Sequence, residues 1–148
     1  MEKTLAYYLT YLYKNFSAYT RSELKSIGLS YGQLPFILYI GNHAGCTQAS
    51  LTENLHMDWG YCQRSVTKLT ETDFIVRCNK EGDSRNYHLS LTEKGRQAFQ
   101  LSHDLFFRWD QFSLQGLNEN EIHILFSLLE KVVNNKGIQD NRNTGKKE

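Results

Sequence analysis

The hydrophobic period of the chain changes once near its middle and then changes back, and this constrains the fold more than any other feature. Up to about residue 72 and again after residue 92, apolar residues recur at steps of three and four, as in amphipathic helices. Between Ile75 and Leu91 they alternate with polar residues on either side of the turn-forming segment 80–86. We therefore expect a mainly α-helical chain with one small β-hairpin, whose tip is polar and charged.

Capping signals divide the helical parts into separate elements. The predicted helices cover residues 4–26, 34–40, 48–55 and 59–72, then a helix from Glu93 through Trp109, and a last helix that Gly137 closes. Their predicted caps are Ser30 with Gln33, Thr47, Asp58, Thr92, and Asn118 with Glu121. Gly28 should stop the first helix, and Pro35 predicts a local distortion near the start of the second.

The pair of helices 48–55 and 59–72 is joined by a tight connection, as a helix-turn-helix requires. Steps of four and three direct one face of the second helix to the core, with Cys62, Val66 and Leu69. The polar residues left facing outward are Gln63, Arg64, Thr67, Lys68 and Glu71. An α-helix fits the major groove of DNA, and a hairpin with a basic tip beside it can reach the neighbouring minor groove. The order of elements predicts a winged helix-turn-helix framed by N- and C-terminal helices.

Several motifs then resemble one family in order and spacing. They are Leu29-Ser30 with Gln33, the stretch Thr47-Gln48-Ala49-Ser50-Leu51, the run Gln63-Arg64-Ser65-Val66-Thr67-Lys68-Leu69, the segment Asp83-Ser84-Arg85, and Leu89-Ser90-Leu91-Thr92-Glu93-Lys94-Gly95. The chain thereby resembles the MarR (multiple antibiotic resistance regulator) family of winged-helix transcriptional regulators. The match covers about Leu29 to Gly95, and the flanking helices match only in pattern.

The resemblance implies that Arg64 on the recognition helix and Arg85 on the wing contact DNA. A guanidinium donates two parallel hydrogen bonds to guanine or a phosphate, and it suits the negative potential of a narrow minor groove. Asp83 would orient Arg85 through an ion pair, unless it only makes the turn. Gln63 and Thr67 are candidates for a base edge and a phosphate, with Lys68 as a further phosphate contact. The alternative for this polar face is plain solvation.

Two positions depart from the family pattern. Asp73 stands where relatives commonly have Gly before the hairpin, and it should adopt the same left-handed backbone at some cost. The recognition helix opens with Trp59-Gly60-Tyr61, which is bulky and weakly helix-forming. Its N-terminal contacts therefore cannot be inferred from relatives.

The predicted domain organisation is a single domain over residues 1–137 and a disordered polar tail over 138–148. Within the domain, residues 30–92 form the reading module and residues 4–26 and 93–137 the dimerisation helices. These terminal helices carry more large apolar area than a core of three short helices can absorb. A two-fold homodimer would bury that area and set two recognition helices one DNA turn apart, which predicts a pseudo-palindromic operator.

The expected function is therefore that of a sequence-specific, double-stranded DNA-binding regulator, a ligand-responsive homodimeric repressor. The resemblance implies a small-molecule effector between the dimer arms and the reading module. Tyr11, Phe16, Phe36 and Trp109 are the candidate lining residues, although an aromatic stripe at helical spacing is more often core. Redox sensing by Cys46, Cys62 or Cys78 is an open alternative that no neighbouring cation favours.

The sequence offers less support for other classes of function. The histidines lie on different elements without a nucleophile elbow, Gly-rich loop or paired acids, so we expect no enzyme activity and no cofactor. His43-x-x-Cys46 supplies only half of a zinc site, so no metal is expected. No apolar run approaches a membrane span, which predicts a cytoplasmic protein. The formal net charge of +1 keeps one alternative open, a winged-helix protein-interaction module without DNA binding.

Overall fold

The computed structural model describes residues 2–79, 87–135 and 137, and it confirms the predicted winged helix-turn-helix. The elements in chain order are α1 (Leu5–Lys25), a 3₁₀ turn (Tyr31–Gln33), α2 (Leu34–Asn42), β1 (Cys46–Thr47), α3 (Gln48–Leu55), α4 (Trp59–Glu71), β2 (Ile75–Asn79), β3 (Tyr87–Leu91), α5 (Glu93–Ser113) and α6 (Glu119–Val133). The chain forms two compact units, one ending at Trp109 and one beginning at Asp110.

Local signals set the ends of the first helices. α1 ends at Lys25, and Gly28 shortly after it has a φ of +74°, which lets the Leu29 N–H bond to the Leu24 carbonyl at 3.2 Å. The Gln33 side chain accepts from the Ser30 N–H at 2.9 Å, as a capping box requires. The 3₁₀ turn that follows places Pro35 in the first turn of α2, where its missing N–H costs no intrahelical bond.

The sheet has one strand more than the predicted hairpin. Its order is β1-β3-β2, all antiparallel, with Cys46 opposite Leu89 and Ile75 opposite Leu91. β1 is only two residues long, too short to show an alternating pattern, and for this reason no strand was predicted before α3. The predicted hairpin tip at residues 80–86 lies outside the described residues.

The core of the first unit lies among α1, α2, α3, α4, the sheet and α5. Its buried apolar residues are Leu24, Leu29, Leu34, Phe36, Ile37, Ile40, Leu51, Cys62, Val66, Leu69, Phe74, Ile75, Leu89, Ala98 and Leu105. The inner face of α4 is the one that its hydrophobic period predicted, and α2 and α3 pack beside it through Leu34, Phe36, Ile37, Ile40 and Leu51. The helix-turn-helix is therefore held by apolar packing on its inner side, and its outer side is available for contacts.

The second unit contains the end of α5 and the helix α6. Asn118 and Glu121 form the predicted capping box, with each side chain accepting from the other residue's backbone N–H at 2.9 Å. The predicted end of α6 at Gly137 is wrong, because the helix ends at Val133. There Asn134 caps it through its own N–H, which bonds to the Glu130 carbonyl at 3.0 Å. The predicted tail over 138–148 lies outside the described residues.

Candidate DNA-binding surface

The helix α4 turns its polar residues away from the core, as a recognition helix must. The Asp58 carboxylate caps it by accepting from the Tyr61 N–H at 3.0 Å, which confirms the predicted cap. Cys62, Val66 and Leu69 are fully buried. The opposite face carries exposed Gln63, Arg64 and Lys68, with Thr67 half-buried beside them. The candidate residues of this helix therefore share one surface.

The side chain of Arg64 extends toward the N-terminal turn of α4, next to Gly60. Its Nη1 atom lies 3.2 Å from the position that a Cβ would take at Gly60, and the Asp58 Oδ1 lies 3.3 Å from the same point. A side chain at residue 60 would therefore crowd the guanidinium. The glycine that weakens the start of this helix leaves room for the arginine one turn later.

Thr67 takes a role that spacing alone did not indicate. Its Oγ1 accepts a hydrogen bond from Nη2 of Arg77 at 2.9 Å, and the Arg77 guanidinium lies over the Tyr87 ring, 5.7 Å from its centroid. The bond joins α4 to β2, and the ring contact joins β2 to β3. Arg77 is thus held at the edge of the recognition helix, with donors left over because a guanidinium carries five.

A cavity of about 210 Å³ opens between α3, α4 and the sheet. Its lining residues are Thr47, Gln48, Ala49, Trp59, Gln63, Arg77 and Tyr87. Within the described part of the chain, the Gln48 Nε2 atom is buried without a hydrogen-bond partner, although buried polar groups are normally bonded. The cavity thus combines two aromatic rings with amide and guanidinium donors, next to the exposed face of α4.

The wing residues Arg85 and Asp83 both belong to the segment 80–86, which lies outside the described residues. The strands on either side are described, and they pair in register from Ile75 with Leu91 to Asn79 with Tyr87. The predicted contacts of Arg85 and Asp83 therefore stay predictions.

The Leu-Thr-x-x-Gly motif joins the end of α4 to the start of α5. Thr92 Oγ1 donates to the Asp73 carbonyl at 2.6 Å and accepts from the Gly95 N–H at 3.0 Å. Lys94 Nζ donates to the Thr72 carbonyl at 2.8 Å. A Cβ at Gly95 would collide with the Phe74 carbonyl oxygen. The motif therefore fixes the C-terminal end of the recognition helix against α5.

The four predicted pocket residues take different places in the first unit. Phe36 is fully buried in the core, and Tyr11 is 62% exposed on α1. Phe16 and Trp109 contact each other edge to face at 5.5 Å between ring centroids. The effector pocket stays a prediction. The sequence did not indicate one further contact of the first unit, in which the Arg21 guanidinium lies 5.3 Å from the centroid of the Tyr31 ring. Burial raises the pKa of Tyr31, and the neighbouring Tyr13 raises it further.

Among the described residues, the cysteines and histidines lie in pairs at most: Cys78 faces His88 across β2 and β3, and the Cys46 N–H bonds to the His43 carbonyl at 3.0 Å. Cys62 is buried in the core, Cys78 is exposed on β2, and burial raises the pKa of the Cys46 thiol. His43 stacks on Tyr39 at 4.2 Å between ring centroids. Across residues 2–79, 87–135 and 137, no three His, Cys, Asp or Glu side chains are grouped to hold a metal ion. Over the same residues, no helix is long and apolar enough to cross a membrane.

A capped recognition helix with a polar outer face, a three-stranded sheet beside it and helices before and after define a winged helix-turn-helix protein. Similar proteins narrow this class. The chain is 43% identical over 132 residues to the HTH-type transcriptional regulator BilQ of Clostridium symbiosum, which covers 89% of this chain and 92% of that protein. It is 25% identical over 119 residues to the BilQ regulator of Clostridioides difficile, covering 80% of each.

A solved structure extends the likeness to the whole chain. A Listeria monocytogenes protein assigned to the MarR family of transcriptional regulators, crystallised with 26-mer DNA, superposes with a TM-score of 0.80 at 25% identity. The alignment covers 99% of this chain and 96% of that one. No family model matches the sequence. The chain belongs to the MarR family of helix-turn-helix transcriptional regulators, and its relatives are regulators of transcription and not enzymes.

Proposed function

We propose that this chain is a homodimeric transcriptional repressor that binds a pseudo-palindromic operator in double-stranded DNA. The observation that carries the proposal is the exposed face of α4, where Gln63, Arg64 and Lys68 lie together outside a fully buried inner face. Such a helix reads base edges from the major groove. The Listeria relative crystallised with DNA supports the same function for this chain.

The dimer is supported by α1, whose N-terminal half exposes a continuous apolar stripe. Leu5, Tyr8, Leu9 and Leu12 are each about half exposed, and they recur at helical spacing. Isolated exposed apolar residues are normal, but a contiguous group marks an interaction site. A second copy of the chain would cover this stripe and place the two recognition helices roughly 34 Å apart.

A charge introduced into the stripe should break the dimer. We expect Leu9→Glu to reduce the mass measured by light scattering at micromolar concentration from two chains to one, because a carboxylate cannot be buried unpaired. Lys14→Glu, at an exposed polar position of the same helix, is the matched control and should stay dimeric. A wild-type monomer would contradict the proposed dimer.

DNA binding is tested by selecting sequences from a random duplex library at near-physiological salt. We expect an inverted repeat, and we expect Arg64→Ala and Arg85→Ala each to weaken binding by roughly 1–3 kcal/mol in fluorescence anisotropy. Arg108→Ala is the matched control, because Arg108 lies on α5 and pairs with Glu23 of α1 at 3.7 Å. Its affinity for the operator should equal that of the wild type.

The near-neutral charge favours one second candidate, a winged-helix module that binds a protein partner instead of DNA. Enrichment of no sequence, or DNA binding that neither arginine substitution changes, would support that candidate.

The proposed function further includes a cytoplasmic location and a small-molecule effector that binds near Tyr11, Phe16, Phe36 and Trp109. Release of the selected operator by an aromatic or anionic compound, lost in Phe16→Ala, would test the effector.

A further inference from the structure

The two aromatic residues at the start of α4 have separate roles. Tyr61 is 37% exposed but contacts its neighbours: its ring lies 6.0 Å from that of Phe36 between centroids, and its hydroxyl lies 3.1 Å from the position of a Cβ at Gly32. Trp59, the first residue of the helix, is 53% exposed. Tyr61 therefore joins the start of the recognition helix to α2 and the turn before it, whereas more than half of the Trp59 side chain faces solvent.

Trp59 is the N-terminal neighbour of Gln63 on that surface. Residues four apart share one face of a helix, and both side chains line the cavity of about 210 Å³ that Arg77 and Tyr87 close on the side of the sheet. The indole thus adds an apolar surface next to an amide that is able to pair with a base. An exposed tryptophan here has no packing role in the core, because the buried face of α4 is supplied by other residues.

The major groove of DNA presents one apolar group that an indole ring can pack against, the 5-methyl group of thymine. The N-terminal residues of a recognition helix reach base edges, and among those edges only thymine carries a methyl group. A glutamine at the next turn suits adenine, whose N6 and N7 match a side-chain amide. We propose that Trp59 is a specificity-determining residue that packs against a thymine 5-methyl group, beside an A·T pair read by Gln63. This inference rests on the proposed binding of α4 to duplex DNA.

Uracil substitution tests the contact, because it removes only the methyl group. In the operator recovered by selection, each thymine of one half-site is replaced in turn by deoxyuridine, and affinity is measured by fluorescence anisotropy. We expect one substitution to weaken wild-type binding about fourfold, the equivalent of one buried methyl group. The same substitution should leave the affinity of Trp59→Ala unchanged, because the ring that contacts the methyl is gone.

Two further variants and a fluorescence measurement test whether the methyl contact belongs to Trp59. Trp59→Phe keeps a ring and should retain part of the methyl dependence, whereas Gln63→Ala should retain all of it and lose the preference for the neighbouring adenine. In Trp109→Phe, Trp59 is the only tryptophan, and its emission should be quenched by the operator. Circular dichroism should show that Trp59→Ala keeps the wild-type fold.

The outcomes separate this inference from the proposed function. If wild type binds the operator but is indifferent to every deoxyuridine, or if the loss is the same in Trp59→Ala, the thymine contact is wrong and DNA binding stands. In the second case the methyl acts on another residue or on the shape of the duplex. If wild type binds no selected duplex, both proposals are overturned.

Discussion

The C-terminal end of α4 is attached to α5 through backbone carbonyls, whereas its N-terminal end contacts the rest of the protein through side chains. At the C-terminal end, Thr92 and Lys94 donate to the carbonyls of Asp73 and Thr72. At the N-terminal end, the ring of Tyr61 rests on Phe36. The attachment to α5 uses the motif that resembles the family, although Asp73 within this attachment departs from the family pattern, and the N-terminal end carries the other departure, Trp59-Gly60-Tyr61. The C-terminal end of the recognition helix is thus fixed by hydrogen bonds to backbone carbonyls, whereas its N-terminal end rests on a contact between side chains.

The largest expected effect comes from Gly95→Ala, which breaks the fixed end. Helix propensity alone would favour alanine by about 1 kcal/mol, but its Cβ would collide with the Phe74 carbonyl oxygen. A backbone atom cannot move aside as a side chain does, so we expect a loss of about 3 kcal/mol in the free energy of unfolding. Denaturation by urea measures it. Gln97→Ala, at an exposed position of α5, should be near wild type, and an unchanged Gly95→Ala would contradict the attachment.

A smaller effect is expected at the other end, from Asp58→Ala. The variant removes the carboxylate that accepts from the Tyr61 N–H and should lower the free energy of unfolding by about 1 kcal/mol. Asp58→Ser keeps an acceptor and should recover most of the loss. If Asp58→Ala were as damaging as Gly95→Ala, the two ends would not differ as described.

Much of the fold could be predicted because its signals are local. The caps at Asp58 and Asn118 depend on side chains that reach three residues along the chain. The outward face of α4 follows from its period, so the grouping of Gln63, Arg64 and Lys68 was accessible too. β1 was missed because a strand of two residues has no pattern, and it exists only through pairing with β3.

The rest of the site depends on tertiary placement. The hydrogen bond from Arg77 to Thr67 joins residues on different elements, and no spacing in the sequence points to it. The contact between Tyr61 and Phe36 depends on where α2 lies.

The smallest expected effect concerns Asp73, which occupies the left-handed conformation that the sequence analysis expected, with a φ of +65°. The Phe74 N–H bonds to the Leu69 carbonyl at 2.9 Å and the Asp73 N–H to the Thr70 carbonyl at 3.1 Å, a pair of bonds that usually ends on glycine. A left-handed residue with a Cβ costs the folded state roughly 1–2 kcal/mol. Glycine removes this cost, but about half of the gain is lost because glycine gives the unfolded chain more conformational entropy.

We therefore expect Asp73→Gly to raise the free energy of unfolding by about 0.5 kcal/mol, because the relief of the left-handed backbone slightly exceeds the added entropy of the unfolded chain. Urea denaturation measures the change. Asp73→Ala is the matched control: it keeps the Cβ without a polar group that tolerates this conformation, so it should be less stable than wild type. The Thr92 bond to the residue 73 carbonyl survives both changes. Equal losses in both variants would mean that the aspartate side chain itself helps to hold the fixed end of α4.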